Sequence, residues 1–281
     1  MDVRPSASRS QDTPGPRCRT AAMGNLFPAD ENDDGKALLS TPATWRNVLL
    51  VMLSLAAGCV DAAGFLGFGE VFVANMTGNT VLLGIAIGQA DGQAALRAGT
   101  ALAGFVCGVA AGAVMVGRER ESDVWPKAVT VALAIELAVL AAFAGGWLFA
   151  GSEPSRGVTL LLISLSSLAM GVQSSAVRHL GVPGVATTYI TGTLTNLTEG
   201  AIDWVRTFRS PKTSGENGEE TSEPPPPSTR GLLPADVWLA YGAGAVVGGG
   251  AQLLWWPMAV LFPEGIVATV VCIAAVRRWR G

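Results

Sequence analysis

Two carboxylates stand inside segments that are otherwise apolar, and these acids are the residues most able to do chemistry. Asp61 lies in GCVDAAGFLG and Glu136 lies in VALAIELAVL. A charge at the centre of a bilayer costs at least about 2.5–3.5 kcal/mol, so such residues face a cavity or a partner and often relay protons or bind cations. The alternative for Glu136 is a protonated acid that hydrogen-bonds a neighbouring helix. Asp61 has the same interpretations, or it caps a helix break near Gly64 and Gly67.

Two stretches concentrate polar residues: VFVANMTGNTVLLGIAIG at 71–88, which carries no charge, and TTYITGTLTNLTEG at 187–200. Lipid offers no hydrogen bonds, so polar groups at depth need partners in protein, water or ligand. Each stretch has a central glycine where a helix can unwind, and transporters hold ions and substrates at such breaks. We therefore predict a substrate or ion pathway formed by Asp61, Asn75, Thr77, Gly78, Asn79, Thr80, Glu136, Thr191, Gly192, Thr195 and Asn196. The alternative is helix packing, which uses the same residue types.

The elements that carry these residues are predicted to be membrane helices. The chain has 281 residues, of which 49% are hydrophobic and 15% charged, whereas soluble domains carry about 25% charged residues. No Asp, Glu, Lys or Arg occurs in five long stretches: 71–90, 98–117, 137–152, 157–177 and 237–263. Because about 20 apolar residues cross a bilayer core as a helix, the sequence predicts an all-α, polytopic integral membrane helix bundle. A membrane barrel would show short alternating segments instead.

The chain divides into four regions. Residues 1–44 are polar and rich in Pro, Ser, Asp and Arg, and they are predicted to be a disordered tail. Residues 45–205 hold transmembrane segments, including both polar stretches. Residues 206–233, with four consecutive prolines, are predicted to be a flexible linker outside the membrane. Residues 234–281 hold the C-terminal transmembrane segments.

The two parts of the membrane region look like copies of each other. Thr77 and Gly78 align with Thr191 and Gly192, and Asp61 aligns with or beside Ser174. We therefore predict six to eight helical segments in two repeated halves, an architecture that recurs in secondary transporters. Small residues at steps of four also recur, and we expect them to pack matched helices closely, with dimerisation as the alternative: they are Gly104, Gly108 and Gly112 in one half and Ala240, Gly244 and Gly248 in the other.

The arrangement of Arg and Lys leaves the number of spans open. If all eight segments cross, four basic residues fall in outside loops: Arg118, Arg120, Lys127 and Arg178. If the two polar segments dip in and return, six spans remain, the halves are inverted, and only Arg97 and Arg156 lie outside. Basic residues favour cytoplasmic loops. Both arrangements place the N- and C-termini in the cytoplasm of a multi-pass protein of the cell membrane.

Several classes of function are disfavoured by composition. The four cysteines are isolated and there is one histidine, so no metal site, disulfide scaffold or cofactor is predicted. Net charge is −3, which does not favour nucleic-acid binding. Because no nucleophile–base pair or nucleotide fingerprint is present, we expect no enzyme. The predicted partners are the lipid bilayer and a small solute or ion, with a homodimer as an option.

The stretch GCVDAAGFLGFGEVFVANMTGNTVLLGIAIG, together with the later TTYITGTLTNL, resembles the YoaK family of bacterial membrane proteins, a family of unknown function. The likeness covers about residues 45–276, and it is carried by Asp61, Asn75, Thr77, Gly78, Asn79, Thr191 and Gly192. The long linker after Trp204 departs from the compact family pattern. The resemblance implies a membrane protein and transfers no activity or ligand. The leading hypothesis is a transporter or channel for a small solute or ion, and the alternative is a non-transporting scaffold or sensor that binds partner helices.

Overall fold

The structure is a computed structural model. It describes residues 42–117, 124–151, 154–182 and 232–280, with isolated positions between 194 and 205. The predicted tail up to residue 41, nearly all of the linker and most of the second polar stretch lie outside the described residues. The division of the chain into regions therefore stays a prediction there.

Within the described residues, the chain forms helices and has no strand. Six of the helices are long and apolar enough to cross a membrane, while α2 has 13 residues. This confirms the predicted class of polytopic helical membrane protein. The helices are α1 (Pro42–Gly67), α2 (Met76–Gly88), α3 (Gly92–Val116), α4 (Lys127–Ala150), α5 (Arg156–His179), α6 (Leu232–Leu254) and α7 (Leu261–Arg280), with a 3₁₀ turn at Met258–Val260 before α7.

The ends of the helices are set by local residue types. Asp91 precedes α3, and its side chain accepts hydrogen bonds from the backbone N–H groups of Ala94 and Gln93, both at 3.0 Å. These bonds favour the ionised form and lower the pKa of Asp91. Gly117 and Gly151 follow α3 and α4 with φ of 73° and 71°. Glycine reaches this left-handed region without a steric penalty, so both positions suit a helix terminus.

Aromatic contacts lie at both ends of the helix bundle. Trp45, near the start of α1, packs against Trp125, just before α4, with ring centroids 5.5 Å apart. The guanidinium of Arg277, near the end of α7, lies 5.4 Å from the Trp45 ring. We call this side the terminal face, because α1 begins and α7 ends there.

The opposite face holds the other ends of the same helices. Phe68, just after α1, packs against Phe143 and Trp147 near the end of α4, at 6.0 and 5.3 Å between centroids. Trp147 also contacts Trp256, just after α6. Helices α1, α4 and α6 therefore run from the terminal face to the opposite face, and α7 returns.

Helix α2 does not cross the membrane. Thirteen residues of α-helix extend about 20 Å, which is less than the roughly 30 Å of a bilayer core. Gly69 follows α1 and lies beside the guanidinium of Arg97, which is in the second turn of α3. The chain thus leaves α1 and enters α3 on the same face, so the first polar stretch dips in and returns. The arrangement with six spans requires this of both polar stretches, and most of the second lies outside the described residues.

Helices α3 and α5 approach each other closely. A Cβ atom on Gly108 would overlap the carbonyl oxygen of Leu168 and lie 2.8 Å from its carbonyl carbon. Gly104 lies against Ser164, and Gly112 lies against Ser175. Because the contact positions advance together along both helices, α3 and α5 run parallel, and only glycine permits the approach.

Helices α1 and α6 meet in the same way. A Cβ atom on Gly244 would overlap the carbonyl oxygen of Leu55, and one on Gly248 would lie 2.8 Å from the Cα atom of Cys59. The hydroxyl of Ser54 donates a 2.8 Å hydrogen bond to the carbonyl of Val237 across this interface. The predicted glycine steps therefore lie within the chain, against α5 and α1. Dimerisation through other surfaces stays untested.

We expect Gly108→Ala and Gly244→Ala to lower the free energy of unfolding by about 1–3 kcal/mol each, as overpacking does. The added methyl meets a backbone carbonyl, which cannot rotate away. The measurement is the melting temperature of the purified protein in detergent, followed by size-exclusion chromatography after heating.

Gly84→Ala and Gly99→Ala are the matched controls, since a Cβ atom on either glycine meets nothing within 4 Å. Both should keep or raise the melting temperature, because alanine favours a helix more than glycine does. Equal melting temperatures for all four variants would contradict the close-packing assignment.

Candidate functional site

The first polar stretch forms a loop that re-enters the bundle and then becomes α2. Gly69 and Glu70 turn the chain with φ of 77° and 64°. Residues 71–75 then run back beside α1, where Val73 and Ala74 are buried. Asn75 caps α2, because its side-chain oxygen accepts a 3.2 Å hydrogen bond from the N–H of Gly78. This extended backbone has no helical hydrogen bonds of its own, so it needs partners from elsewhere.

Asp61 supplies those partners. Its Oδ1 atom accepts hydrogen bonds from the N–H groups of Val73, Ala74 and Asn75, at 2.8, 2.7 and 3.3 Å. The other oxygen, Oδ2, accepts a short hydrogen bond from the hydroxyl of Tyr241 on α6. Asp61 is 2% exposed. Its carboxylate is thus met by four donors without a basic side chain, an arrangement like the backbone nests that bind anions.

Tyr241 was not selected from the sequence. A signal was available, since the chain has only two tyrosines and this one stands in the apolar stretch VWLAYGAGAVV. A hydroxyl in such a stretch needs a partner at membrane depth, as does a carboxylate. The sequence does not show that the partner is Asp61, because the two residues are far apart in the chain.

The side chain of Asn79 also forms hydrogen bonds with this loop. Its amide nitrogen donates to the carbonyl of Phe72 at 2.6 Å, and its oxygen accepts from the N–H of Phe72 at 3.0 Å. Asn79 is 0% exposed. Gly78 provides the space for this contact, because a Cβ atom there would lie 2.8 Å from the Phe72 ring. Asp61, Asn75, Gly78 and Asn79 are therefore brought together, and what they touch is the chain itself.

The remaining candidate residues of the two polar stretches are exposed or lie outside the described residues. Thr77 and Thr80 are exposed, and the Thr80 hydroxyl donates to the carbonyl of Met76 within its own helix. Thr195 is an exposed helical residue. Thr191, Gly192 and Asn196 lie outside the described residues. A pathway lined by both stretches stays a prediction.

Glu136 has a different environment from Asp61. It is 0% exposed, and neither carboxyl oxygen has a hydrogen-bond partner among the described residues. It lies in a buried strip of α4 whose other members are apolar, including Leu133, Leu140 and Phe143. An isolated carboxylate in such surroundings is very costly. The group is therefore stable there as the neutral acid or with a cation bound to it.

Glu136 lies at the same depth as Gln173. Gly146 of α4 lies against Leu162 of α5, and these two helices run in opposite directions. Glu136 lies ten residues before Gly146, and Gln173 lies eleven residues after Leu162. At 1.5 Å per residue these are nearly equal distances along the two helices, so Glu136 is level with Gln173. Gln173 is also 0% exposed, and its amide donates to the carbonyl of Leu53 on α1 at 3.3 Å. A polar layer thus lies inside the bundle near the terminal-face half of α4.

Among the described residues, no group of three or more His, Cys, Asp or Glu side chains is placed to hold a metal ion. Asp61 and Glu136 lie on different helices with separate surroundings. The absence of a resident cofactor or metal stays an expectation.

Comparison with known proteins assigns the family. The pattern of the family described as "Protein of unknown function (DUF1275)" matches residues 49–274. The chain belongs to this family. The match includes all seven helices over most of their length, both carboxylates and the complete re-entrant loop.

Two relatives have names that agree with a membrane protein. The chain is 46% identical over 159 residues to "UPF0700 transmembrane protein YoaK" of Bacillus subtilis (strain 168), a match that covers 57% of this chain and 68% of the relative. It is 29% identical over 239 residues to "UPF0700 transmembrane protein RA0705" of Rhizobium meliloti (strain 1021), covering 83% and 88%. No solved structure matches the chain. The predicted resemblance is confirmed, and neither name states an activity.

We expect Asp61→Ala to destabilise the protein by several kcal/mol. The substitution leaves three buried N–H groups and one hydroxyl without an acceptor, and each such group costs about 1–3 kcal/mol. The melting temperature measures the loss. In a cysteine-free background carrying Ala74→Cys, maleimide labelling should rise when Asp61 is replaced, because the loop is no longer held against α1.

Asp61→Asn should be intermediate, since its one oxygen still accepts from the loop. Tyr241→Phe should lower the free energy of unfolding by about 0.5–1.5 kcal/mol, the net contribution of a typical hydrogen bond. Thr77→Ala is the control, as this side chain is exposed. An Asp61→Ala protein as stable as the wild type, with residue 74 equally protected, would show that the carboxylate does not hold the loop.

Proposed function

We propose that this protein is a transporter or channel for a small solute or ion, in which Glu136 carries a proton or cation through the bundle. The observation that supports this is a carboxyl group at membrane depth, with no solvent exposure and with no hydrogen-bond partner in the described part of the chain. Structural carboxylates are normally paired, as Asp61 is. An unpaired acid within a membrane is a functional residue by default.

The sign of the interior charge indicates the class of ion. Among the described residues, the buried carboxyl side chains of the membrane helices are Asp61 and Glu136, and no Lys, Arg or His is buried there. Such an interior favours a proton or another cation over an anion. A dehydrated metal cation needs several oxygen ligands, and among the described residues Glu136 belongs to no group of three or more His, Cys, Asp or Glu side chains. A proton therefore fits the site best.

The glycine contacts support an inverted internal repeat. The contact of Gly108 with Leu168 matches that of Gly244 with Leu55. In both pairs an added Cβ atom would overlap a carbonyl oxygen, and it would lie 2.8 and 2.9 Å from the carbonyl carbons. We infer that the interface of α3 with α5 and that of α6 with α1 are equivalent, as the sequence alignment predicts.

A reciprocal pair of glycines extends the match. Gly58 of α1 lies on the backbone of Tyr241, and Gly171 of α5 lies on that of Phe105. Gly58 and Gly171 are aligned in the two halves. Helix α5 is parallel to α3 and so runs opposite to α1, which makes the halves inverted. Inverted repeats with interrupted helices recur in secondary transporters, and this supports the proposal.

The basic residues support a cytoplasmic terminal face. Among the described residues, the terminal face carries Arg46, Lys127, Arg178, Arg277 and Arg278, and the opposite face carries Arg97 and Arg156. Short loops rich in Lys and Arg stay in the cytoplasm. We infer that both termini are cytoplasmic and that the protein lies in the cell membrane.

The second candidate function is a non-transporting membrane scaffold or sensor. The observation that favours it is the engagement of Asp61, Asn75 and Asn79 with the loop backbone, which removes them from any solute. A scaffold would bind a partner stoichiometrically, which crosslinking and pull-down from membranes would detect. Neither candidate needs catalysis, and we propose no enzymatic role.

We expect Glu136→Gln to abolish proton-coupled flux while the protein remains folded, because glutamine keeps the size and polarity of the side chain and cannot release a proton. The measurement is the internal pH of proteoliposomes with a trapped fluorescent dye, when a panel of small solutes and ions is added under an imposed gradient. Glu70→Gln is the matched control, since Glu70 is an exposed acid on the opposite face.

Glu136→Leu provides a second arm. It should also lack flux and should raise the melting temperature, since it removes an unpartnered polar group from an apolar strip. Flux in Glu136→Gln equal to that of the wild type would exclude Glu136 as the carrier. Wild-type vesicles no more permeable than empty ones, together with a stoichiometric partner, would favour the scaffold.

A further inference from the structure

A cleft lies at the terminal face, where α3 and α5 end side by side. Its volume is about 610 Å³, and its walls include Ala113, Val114 and Val116 of α3 and Ser175, Arg178 and His179 of α5. The cleft is separate from Glu136 and from the Asp61 loop. Its two walls differ in chemistry, and this difference identifies what would bind.

The α3 wall is apolar and opens towards lipid. Val114 is 83% exposed, although it lies in the last turn of a helix that crosses the membrane. Val116 is buried and closes the inner side of the cleft. An apolar wall at this depth contacts acyl chains rather than water.

The α5 wall is basic. Arg178 is exposed, His179 is half-buried, and both occupy the last turn of α5. Within the described part of the chain, no acidic side chain forms an ion pair with Arg178. A guanidinium at the membrane surface binds a phosphate through two parallel hydrogen bonds, and a histidine ring donates one N–H in its neutral state and two when protonated.

We propose that this cleft binds the headgroup of an anionic phospholipid, with its phosphate on Arg178 and His179 and its acyl chain along Val114. Basic pockets between membrane helices at the cytoplasmic surface are the usual sites for such headgroups. A phospholipid fits both walls at once, whereas a soluble phosphate would use only the basic wall. The site does not depend on the proposed transport activity.

The test is lipid binding to the full-length protein by native mass spectrometry, with phosphatidylglycerol titrated against phosphatidylcholine. The wild type should bind phosphatidylglycerol first and more tightly. The double variant Arg178→Gln, His179→Gln should lose about five-fold or more of that affinity, since one basic residue near a membrane surface contributes about that factor. Arg278→Gln is the control, because Arg278 is exposed on the same face and away from the cleft.

Val114→Trp gives a second, independent variant. Its side chain is exposed, so the larger residue should not disturb packing, and it should block the acyl chain while leaving both basic residues in place. Glycerol phosphate at millimolar concentration is the soluble arm. Equal affinity for the two lipids, the same loss in Arg278→Gln as in the double variant, or full competition by glycerol phosphate with no effect of Val114→Trp would overturn the proposal.

Discussion

In the first half of the chain, the path of the backbone depends on one interaction: the carboxylate of Asp61 accepts hydrogen bonds from three backbone N–H groups. A chain that turns back at membrane depth exposes peptide groups that lipid cannot satisfy. One oxygen of Asp61 meets the N–H groups of Val73, Ala74 and Asn75, and Asn79 meets both peptide groups of Phe72. Because the loop is satisfied in this way, α3 begins on the face where α1 ends.

That direction of α3 determines which helices can pair. With α3 running towards the terminal face, it lies parallel to α5, and α1 lies parallel to α6. Parallel neighbours that approach within overlap distance of a Cβ atom need glycine at the contact, which explains Gly108 and Gly244. The polar loop and the glycine steps therefore act together in packing the helices. The loop sets the direction of α3, and the glycines set the distance between paired helices.

The sequence was sufficient for the membrane class, the helical segments and the family, because long charge-free stretches and a specific motif carry that information. It was insufficient for the roles of Asn75 and Asn79. An asparagine at depth needs a partner, but composition does not tell whether the partner is a solute or the chain's own backbone. The partner of Asn79 is Phe72, seven residues earlier, and they meet only once the chain has reversed. Tyr241 reaches Asp61 from a helix in the other half. Pairings of this kind depend on the fold and are not visible in residue types or periodicity.

The sequence predicts both Asp61 and Glu136 as intramembrane acids and does not distinguish them. The structure shows that they differ in the hydrogen-bond donors around each carboxyl group. Four donors meet the carboxylate of Asp61, and three of them belong to the loop that it holds beside α1. Among the described residues Glu136 has no hydrogen-bond donor, so the group is stable in the bundle as the neutral acid or with a cation bound to it. A carboxylate whose oxygens are occupied by the chain and a buried acid without such a partner differ in what they leave available for chemistry. For that reason the chemistry of this protein is better sought at Glu136 than in the polar stretch that first draws attention.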